Sequence, residues 1–447
     1  MGIESFFGSG LDSYAHALRT GRFTIEEATR ACLTRIAETN EKLESFVHVA
    51  EESAVDTAAA LDRLLRSGTD LGPLMGVPLG VKDLYAVAGM PTGLGSRVKL
   101  SAALPEEASF IRMLRAAGCV ILGKTRTTEF AIGGINLSHP TPWNPCCLDQ
   151  HLTPGGSSSG SAVAVASGQC PWGIGSDMGG SIRQPAALCG LVGFKASQFR
   201  WDPDGIFSFS HTFDSIGYIN ATVADAAYVY RGLLGVELPK IPVESLRLGR
   251  PELRGFAELD TEVANAVDDA VSTLEKAGVR IVAVDLPDAS DIDEISQMVP
   301  VEFIGHVGRQ KLKESWDQID PVPRTRMEAT LDAADYIELS RRRRRLSEAA
   351  AIHMRKAGLD GWVLPTVPHT ATPMAKLKTV ADATKWNART FRITRLANML
   401  DQVAISIPTP VAAGALPVGM QICCPNGQEI EMLAIAASVE ACLSQGK

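Results

Sequence analysis

The stretch that decides the fold runs from residue 155 to residue 190 and reads GGSSSGSAVAVASGQCPWGIGSDMGGSIRQPAALCG. It contains two serine-bearing glycine loops, one that ends at Ser161 and one built around Ser181, on either side of a helical run of small residues. Glycine carries no Cβ, so backbone N–H groups beside it can approach a substrate oxygen closely. The pattern therefore suggests a serine nucleophile with oxyanion donors alongside it.

Short apolar runs alternate with helical stretches around this segment, which indicates an α/β architecture with helices packed on a central sheet. Residues 10–66 read as helical, residues 76–81 as a short apolar run that ends at Lys82, and residues 119–122 as a strand stopped by Gly123. We further predict helices at 106–117, 160–168, 223–236, 260–278, 326–357 and 429–443, and strands at 279–284, 403–408 and 417–423.

The composition is that of an ordinary globular protein. A chain of 447 residues with 45% hydrophobic content can bury a sizeable core. Its net charge of −8 argues against nucleic acid or an anionic membrane as the main partner. The first residues lack a basic segment followed by an apolar one, and the longest apolar runs are too short for a membrane span.

Cysteine usage indicates the compartment. The nine cysteines contain no C-x-x-C pair, their number is odd, and two pairs are adjacent in sequence, so neither a zinc ribbon nor a secreted disulfide framework fits. We therefore expect free thiols and a cytoplasmic protein. The positions are Cys32, Cys119, Cys146, Cys147, Cys170, Cys189, Cys423, Cys424 and Cys442.

Three other interpretations of the serine loops compete. Residues 156–160 match G-x-S-x-G, a nucleophile elbow centred on Ser158, but the preceding residues 144–154 are turn-like rather than an apolar strand. A phosphate loop would need Gly-Lys-Ser/Thr, and only Ser161-Ala162 is present. A simple flexible turn does not explain the second Gly-Gly-Ser, which Asp177 and Arg183 flank.

Three separated motifs account for all these parts: GVKD at 80–83, GGSS at 155–158 and DMGGSIR at 177–183. In them the chain resembles the amidase signature family, over roughly residues 70–225. The resemblance implies that Ser181 is the acyl-forming nucleophile, Ser157 the bridging serine in a cis peptide, and Lys82 the base. The remaining implied site residues are Met178, Gly179 and Gly180 at the oxyanion, and Ser158, Asp177 and Arg183 in support.

The resemblance also implies the family's fold, a single large α/β domain over residues 1–447. A twisted mixed sheet covered by helices on both faces should form its centre. We expect an N-terminal helical region at 1–66 and the catalytic core at 70–225. A variable substrate-pocket region should follow at 226–400, with returning strands and a closing helix at 401–447.

Chemistry gives an independent reason for the lysine. A serine hydroxyl needs a base, and no histidine stands in a recognisable triad context. Lysine can act only when neutral, and its ordinary pKa of about 10.4 leaves a deficit of roughly 4.6 kcal/mol at pH 7. Burial supplies a shift in the required direction. Because neighbouring side chains of a strand alternate, Asp83 should face away from Lys82.

The expected function is hydrolysis of a small-molecule carboxylic amide through an acyl-enzyme, with no metal or cofactor, no nucleic acid and no membrane. The sequence is compatible with a homodimer. Two related alternatives also stay open. Residues 181–186 are similar to the glutaminase A subunit of tRNA-dependent amidotransferases, although Phe391 falls near the place of that protein's substrate-binding acid. Residues 398–401 faintly resemble allophanate hydrolases.

Several features bear on the substrate pocket. Ser159 stands where the family usually has glycine, and the loop 144–154 is about two residues longer than is common. Three arginines recur at helical spacing and could bind a carboxylate, although surface ion pairing is the favoured interpretation. They are Arg389, Arg392 and Arg395.

Overall fold

The computed structural model describes residues 4–100 and 104–444. Within them, eleven strands form a single sheet in the order β1-β3-β2-β4-β6-β5-β10-β11-β9-β7-β8. The strands are β1 (Phe46–Val49), β2 (Pro78–Lys82), β3 (Val120–Thr125), β4 (Trp172–Asp177), β5 (Val192–Lys195), β6 (Ser215–Asn220), β7 (Arg247–Pro251), β8 (Arg280–Val284), β9 (Gly361–Pro365), β10 (Gln402–Pro408) and β11 (Gly419–Pro425).

Helices flank this sheet, as the sequence predicts for an α/β domain. They are α1 (Glu4–Phe7), α2 (Gly10–Arg19), α3 (Ile25–Leu43), α4 (Glu51–Arg66), α5 (Ser109–Ala116), α6 (Ser159–Ala166), α7 (Arg183–Leu188), α8 (Val223–Leu234), α9 (Thr261–Lys276), α10 (Ala289–Ile295), α11 (Met298–Val307), α12 (Arg309–Glu314), α13 (Pro321–Arg324), α14 (Ala333–Lys356), α15 (Val380–Met399) and α16 (Glu429–Ser444).

The sheet is mixed, and its parallel part positions the site. Strand β2 runs parallel to both β3 and β4, whereas β4, β6, β5, β10, β11 and β9 are joined by antiparallel pairs. Gly80 of β2 pairs with Gly173 of β4. Because parallel neighbours end at the same edge of a sheet, Lys82 and the end of β4 come together there.

Aromatic packing anchors the strands beside that edge. The ring of Trp172 lies edge-on to Tyr218 at 5.9 Å, and Tyr218 lies 4.8 Å from Phe194. All three side chains are buried, so β4, β6 and β5 share one apolar layer. Burial of such rings contributes about 1.5–3 kcal/mol each, which makes this part of the sheet a firm support for the loops that follow it.

The structure corrects three predicted boundaries. The segment predicted as helical at 10–66 contains strand β1, an edge strand whose Val47 and Val49 side chains are exposed and give no clear apolar pattern. Strand β3 continues past Gly123. A Cβ at this position would overlap the His48 carbonyl oxygen of β1, so a glycine is needed for the two strands to pair here. The glycine therefore permits strand pairing rather than ending the strand.

The third correction concerns the long helix predicted at 326–357. Helix α14 begins at Ala333, seven residues later, after the short helix α13 and an irregular segment. The side chain of Asp332 accepts a hydrogen bond from the Asp335 N–H at 2.9 Å and caps the helix. The cap therefore fixes a start that composition alone did not indicate.

Candidate active site

Lys82 is the last residue of β2, and its side chain is fully buried. Its Nζ donates hydrogen bonds to Ser157 Oγ at 2.7 Å and to Ser176 Oγ at 2.9 Å. Burial lowers the pKa of Lys82 to about 7, although the nearby carboxylates of Asp214 and Asp177 act in the opposite direction. A substantial share of the amine is therefore neutral near pH 7.

The bridging loop, residues 155–158, carries Ser157 between β3 and α6. The Gly156–Ser157 peptide is cis, as the resemblance implied. The Gly156 N–H donates to Gln184 Oε1 at 2.8 Å, and the Thr128 N–H donates to the Ser157 carbonyl at 3.3 Å. These bonds fix the loop from both sides, so the Ser157 hydroxyl points at the lysine.

Ser181 lies in the loop of residues 178–182, which joins β4 to α7 and is called the nucleophile loop after the role that the resemblance implies for Ser181. The Ser158 N–H donates to the Ser181 carbonyl oxygen at 3.1 Å, so the two serine loops are directly joined. Across the described residues, the Ser181 hydroxyl makes no hydrogen bond to the Ser157 hydroxyl. The structure thus brings Lys82 onto Ser157 and holds Ser181 beside them through the backbone, with its side chain on the wall of a cavity.

A buried ion pair between Asp177 and Arg183 lies next to the nucleophile loop. Arg183 Nη2 lies 2.9 Å from Asp177 Oδ1, and neither side chain is exposed. Burial by itself would raise the pKa of Asp177, but the charge and hydrogen bonds of Arg183 outweigh it and hold that pKa well below its usual range. Arg183 also donates to Gln421 Oε1 at 2.8 Å and to Asn398 Oδ1 at 2.7 Å. The pair lies beneath the loop, and neither residue lines the cavity beside Ser181.

Two side chains of helix α15 hold the nucleophile loop and its start through hydrogen bonds to backbone carbonyl oxygens. Thr394 Oγ1 donates to the Gly179 carbonyl oxygen at 2.7 Å, and Asn398 Nδ2 donates to the Asp177 carbonyl oxygen at 3.1 Å. Gly180 has a φ of +132°, and a Cβ there would overlap Thr394 Oγ1. Glycine at this position is thus required by both backbone conformation and close approach.

The predicted oxyanion donors divide into two groups. The Gly180 N–H donates to Asp177 Oδ1 at 2.8 Å, so it supports the loop. In the described chain, no acceptor takes the N–H groups of Met178, Gly179 or Ser181. These three residues line the cavity and retain donors for an incoming oxygen.

The hydroxyl groups of Ser158 and Ser159 donate hydrogen bonds to backbone carbonyl oxygens. Ser158 Oγ donates to the Ser176 carbonyl oxygen at 3.4 Å, and Ser159 Oγ donates to the Arg126 carbonyl oxygen at 3.5 Å. His369 is hydrogen-bonded to Thr390 Oγ1 at 2.7 Å. Ser158 Oγ thus bonds a backbone carbonyl and makes no hydrogen bond to a histidine of the described chain, so the structure gives no support to a nucleophile elbow there.

Asp83 turns away from Lys82, as strand alternation predicts. Its carboxylate pairs with Lys124 Nζ at 3.0 Å and accepts hydrogen bonds from the Gly93 N–H. Burial raises the pKa of Asp83, and Lys124 partly counters this effect. The adjacent carboxylate is thus neutralised by its own lysine and leaves Lys82 free to lose its proton.

The cavity beside Ser181 measures about 30 Å³. Phe391 forms part of its apolar wall. Arg389 pairs with Asp260 at 2.6 Å and Arg392 with Asp293 at 2.5 Å, both at the surface. Arg395, by contrast, lines the cavity.

Sequence reasoning missed several residues of this site. Ser176 holds Lys82 from the end of β4, Asp214 contributes charge, and Arg326 lines the cavity. On helix α15, four residues that face the site follow i, i+3, i+4, i+7 spacing, a pattern that would have grouped Thr394 and Asn398 with Phe391 and Arg395.

The described residues form no metal cluster, disulfide bond or membrane-spanning helix. Over residues 4–100 and 104–444, no group of three or more His, Cys, Asp or Glu side chains could hold a metal ion. All nine cysteines are unpaired. No helix of the described chain combines the length and apolar character needed to cross a membrane.

Comparison with known proteins extends the likeness to nearly the whole chain. The Amidase family model matches residues 27–433. A 2-amino-5-chloromuconic acid deaminase from Comamonas testosteroni is 33% identical over 98% of this chain and 96% of its own length. The A subunit of a glutamyl-tRNA(Gln) amidotransferase from Desulfotalea psychrophila is 31% identical over 97% of each chain.

Solved structures give the same result for the fold. A crystal structure described as an amidase has a TM-score of 0.87 at 31% identity and covers 97% of this chain and 99% of its own. The peptide amidase from Stenotrophomonas maltophilia has a TM-score of 0.81 at 25% identity and covers 97% of this chain and 96% of its own. The match therefore includes the sheet and its helices as well as the serine motifs.

Proposed function

The chain belongs to the Amidase family, and we propose that it hydrolyses a small carboxylic amide through an ester of Ser181, with Ser157 and Lys82 as the proton relay. Hydrolysis of amide C–N bonds is the chemistry of the family. The observation that carries the residue assignment is the buried Lys82 amine, 2.7 Å from Ser157 Oγ, with its pKa lowered by burial. Such an amine can take a proton near pH 7, which an exposed lysine cannot.

The first half of the reaction acylates the enzyme. Neutral Lys82 takes the proton of Ser157 while Ser157 takes that of Ser181, and Ser181 Oγ adds to the amide carbonyl carbon. The N–H groups of Met178, Gly179 and Ser181 stabilise the oxyanion that forms. The C–N bond then breaks, and the relay returns the proton to the leaving nitrogen.

The second half releases the acid. A water molecule loses its proton to the relay and adds to the ester carbonyl carbon. The bond from that carbon to Ser181 Oγ breaks, and the proton returns to Ser181. Each turnover thus consumes one amide and one water and yields one acid and one amine or ammonia, so no oxidant, reductant or metal is needed.

We also propose how the chain is organised around this reaction. The region 70–225 supplies the reacting groups, and the region 226–400 shapes the acyl pocket, because Phe391 and two arginines of that region line the cavity. Unpaired cysteines support an enzyme of the reducing cytoplasm. The chain is compatible with a homodimer, and light scattering of the purified protein would measure whether it is a monomer or a dimer.

A second candidate is a glutaminase-type protein that delivers ammonia to a partner. The 31% identity to an amidotransferase A subunit over almost the full length supports it. The apolar Phe391 in the cavity favours the free-standing amidase, since it leaves no acid at that point for an amino group. If the chain purified alone turns over simple amides at a steady rate, the partner-dependent role is excluded.

The direct test of the residue assignment is acylation. Wild-type protein mixed with an activated p-nitrophenyl ester should release a burst of p-nitrophenol and gain the acyl mass on the peptide that contains Ser181. Ser181→Ala should show neither. Ser159→Ala is the matched control, because its hydroxyl bonds a backbone carbonyl and it should acylate normally. Acylation of Ser181→Ala at the wild-type rate would overturn the assignment.

A further inference from the structure

Two arginines, Arg326 and Arg395, line the cavity beside Ser181 and lie close enough for the charge of one to act on the other. We propose that they bind a carboxylate carried on the acyl part of the substrate. The natural substrate is then a short acyl amide with a second, ionised carboxyl group. This inference rests on the proposed function, since it concerns the acyl group that Ser181 receives.

Arg326 is the first part of the argument. It lies in the irregular segment between α13 and α14 and is only partly exposed. Among the described residues, its side chain makes neither a hydrogen bond nor an ion pair, which is unusual for a guanidinium that is largely removed from water. Its five donors therefore remain available for a ligand.

Arg395 is the second part. Its side chain is 14% exposed, and its contacts are long, at 3.5 Å to Ser296 Oγ and 3.7 Å to Asp293 Oδ1. The same Asp293 oxygen lies only 2.5 Å from Arg392, so its charge is already committed there. The positive charge of Arg395 is thus poorly compensated within the protein.

Helix geometry separates Arg395 from the neighbouring arginines. At about 100° per residue, Arg389 projects roughly 120° away from Arg395 around the axis of α15. Phe391 and Thr394 are on the site-facing side with Arg395, one lining the cavity and the other bonded to Gly179. The spacing of the three arginines suggested a shared helix face, but only Arg395 lines the cavity.

The electrostatics favour an anion at this point. Burial lowers the pKa of both guanidinium groups, and the charge of Arg326 further lowers the pKa of Arg395, which falls to about 10. Two like charges held together in a partly dry site repel each other. A carboxylate between them would relieve that repulsion and could accept hydrogen bonds from both planar groups.

The dimensions of the cavity restrict the acyl group. Its volume of about 30 Å³ admits a compact group such as a single carboxylate and excludes a long chain. Phe209, Val299 and Phe391 supply the apolar part of the wall. The carboxylate end of the acyl group would occupy this space, so we expect a short spacer between the amide and the carboxylate, as in the monoamide of a short dicarboxylic acid.

The test compares matched substrates. We would measure kcat/KM for succinamate and glutaramate, and for the neutral amides butyramide and valeramide of equal chain length. Wild-type enzyme should prefer the carboxylated member of each pair by at least about tenfold, the value of one good hydrogen bond to a charged group. Succinate should also inhibit hydrolysis of the neutral amides competitively.

Variants locate the effect. Arg326→Gln and Arg395→Gln should each lose about 10- to 100-fold in kcat/KM on the carboxylated amides and little on the neutral ones. Arg326→Lys and Arg395→Lys keep the charge and should recover part of the preference. Arg389→Gln, on the same helix but paired with Asp260 at the surface, is the control and should match wild type.

The outcomes distinguish this inference from the proposed function. Burst acylation of Ser181 by a neutral ester together with no preference for carboxylated amides would overturn the carboxylate subsite and leave the serine chemistry intact. Equal losses on charged and neutral amides in both Arg→Gln variants would also overturn it. If no amide is turned over and no burst appears, the proposed function itself fails.

Discussion

The side chains of Lys82 and Ser157 meet at 2.7 Å, and neither is exposed to solvent. They are 75 residues apart in sequence, yet the parallel pairing of β2 with β4 and the bonds of the bridging loop bring them together. Burial of the amine is what changes its chemistry, because water no longer stabilises the ammonium form. Substitutions at the lysine and at the residues that support it can therefore test this arrangement.

The activity of the wild-type enzyme should depend on the neutral form of Lys82. Since burial lowers the pKa of Lys82 to about 7, kcat/KM should rise about tenfold per pH unit below that value and level off above about pH 8. Lys82→Met should lose most activity at every pH, as measured by initial rates between pH 5.5 and 9. Strong residual activity at pH 7 in this variant would rule out the lysine as base.

The same lysine should affect stability in a defined direction. Its pKa is lower in the folded than in the unfolded chain, so the unfolded chain binds more protons between about pH 7 and pH 10.4 and wild-type stability gains with pH there. Relative to Lys82→Met, the wild-type free energy of unfolding should rise by about 2–3 kcal/mol from pH 7 to pH 9. Urea denaturation of both proteins at the two pH values measures it. Parallel behaviour of the two proteins would contradict a depressed pKa.

Ser176 should act as a positioning residue for Lys82. Its Oγ accepts a hydrogen bond from Lys82 Nζ at 2.9 Å, which favours the ammonium form. Ser176→Ala should lower kcat by about 10-fold through loss of orientation and move the acid limb of the pH profile to lower pH. Ser159→Ala provides the comparison, because Ser159 is a serine whose hydroxyl bonds a backbone carbonyl and does not touch the lysine. An unchanged acid limb would assign Ser176 a purely structural role.

Asp214 should tune the lysine through its charge. Its carboxylate raises the pKa of Lys82, while burial raises the pKa of Asp214 itself to about 6. Asp214→Asn removes the charge and should shift the acid limb of kcat/KM to lower pH. The Phe209 N–H donates to Asp214 at 2.8 Å, and the Asn side-chain oxygen can still accept that bond, so circular dichroism should stay native. A shift to higher pH would contradict the assigned direction.

The buried Asp177–Arg183 pair should be a major stabilising element. Removal of one partner leaves an uncompensated charge in the interior, so Arg183→Met should cost about 3–5 kcal/mol of unfolding free energy. The exposed Arg389–Asp260 pair is the control, and Arg389→Met should cost less than about 1 kcal/mol. Denaturant titration at pH 7 compares them. Similar losses of unfolding free energy in both variants would show that burial of the Asp177–Arg183 pair adds nothing to its contribution to stability.

Part of this site was predictable from local sequence alone. Whereas the role predicted for Lys82 rested on the resemblance of its motif to the family, the glycine-rich loops around the serines and the alternation that turns Asp83 away follow from backbone chemistry over a few residues. The α/β class followed from alternating apolar runs for the same reason. Strand β1 was missed because an edge strand with exposed valines lacks the pattern that a buried strand shows.

What the sequence determined by itself is the α/β class of the fold, which follows from the local periodicity of apolar residues. The roles expected for Lys82, Ser157 and Ser181 came from the resemblance of three motifs to the amidase signature family. Only the tertiary structure decided that Ser176 and Asp214 surround Lys82, that the Gly180 N–H is committed to Asp177, and that Arg395 rather than Arg389 or Arg392 reaches the cavity. These relationships depend on contacts between residues far apart in the chain, and burial and electrostatic environment are set by such contacts.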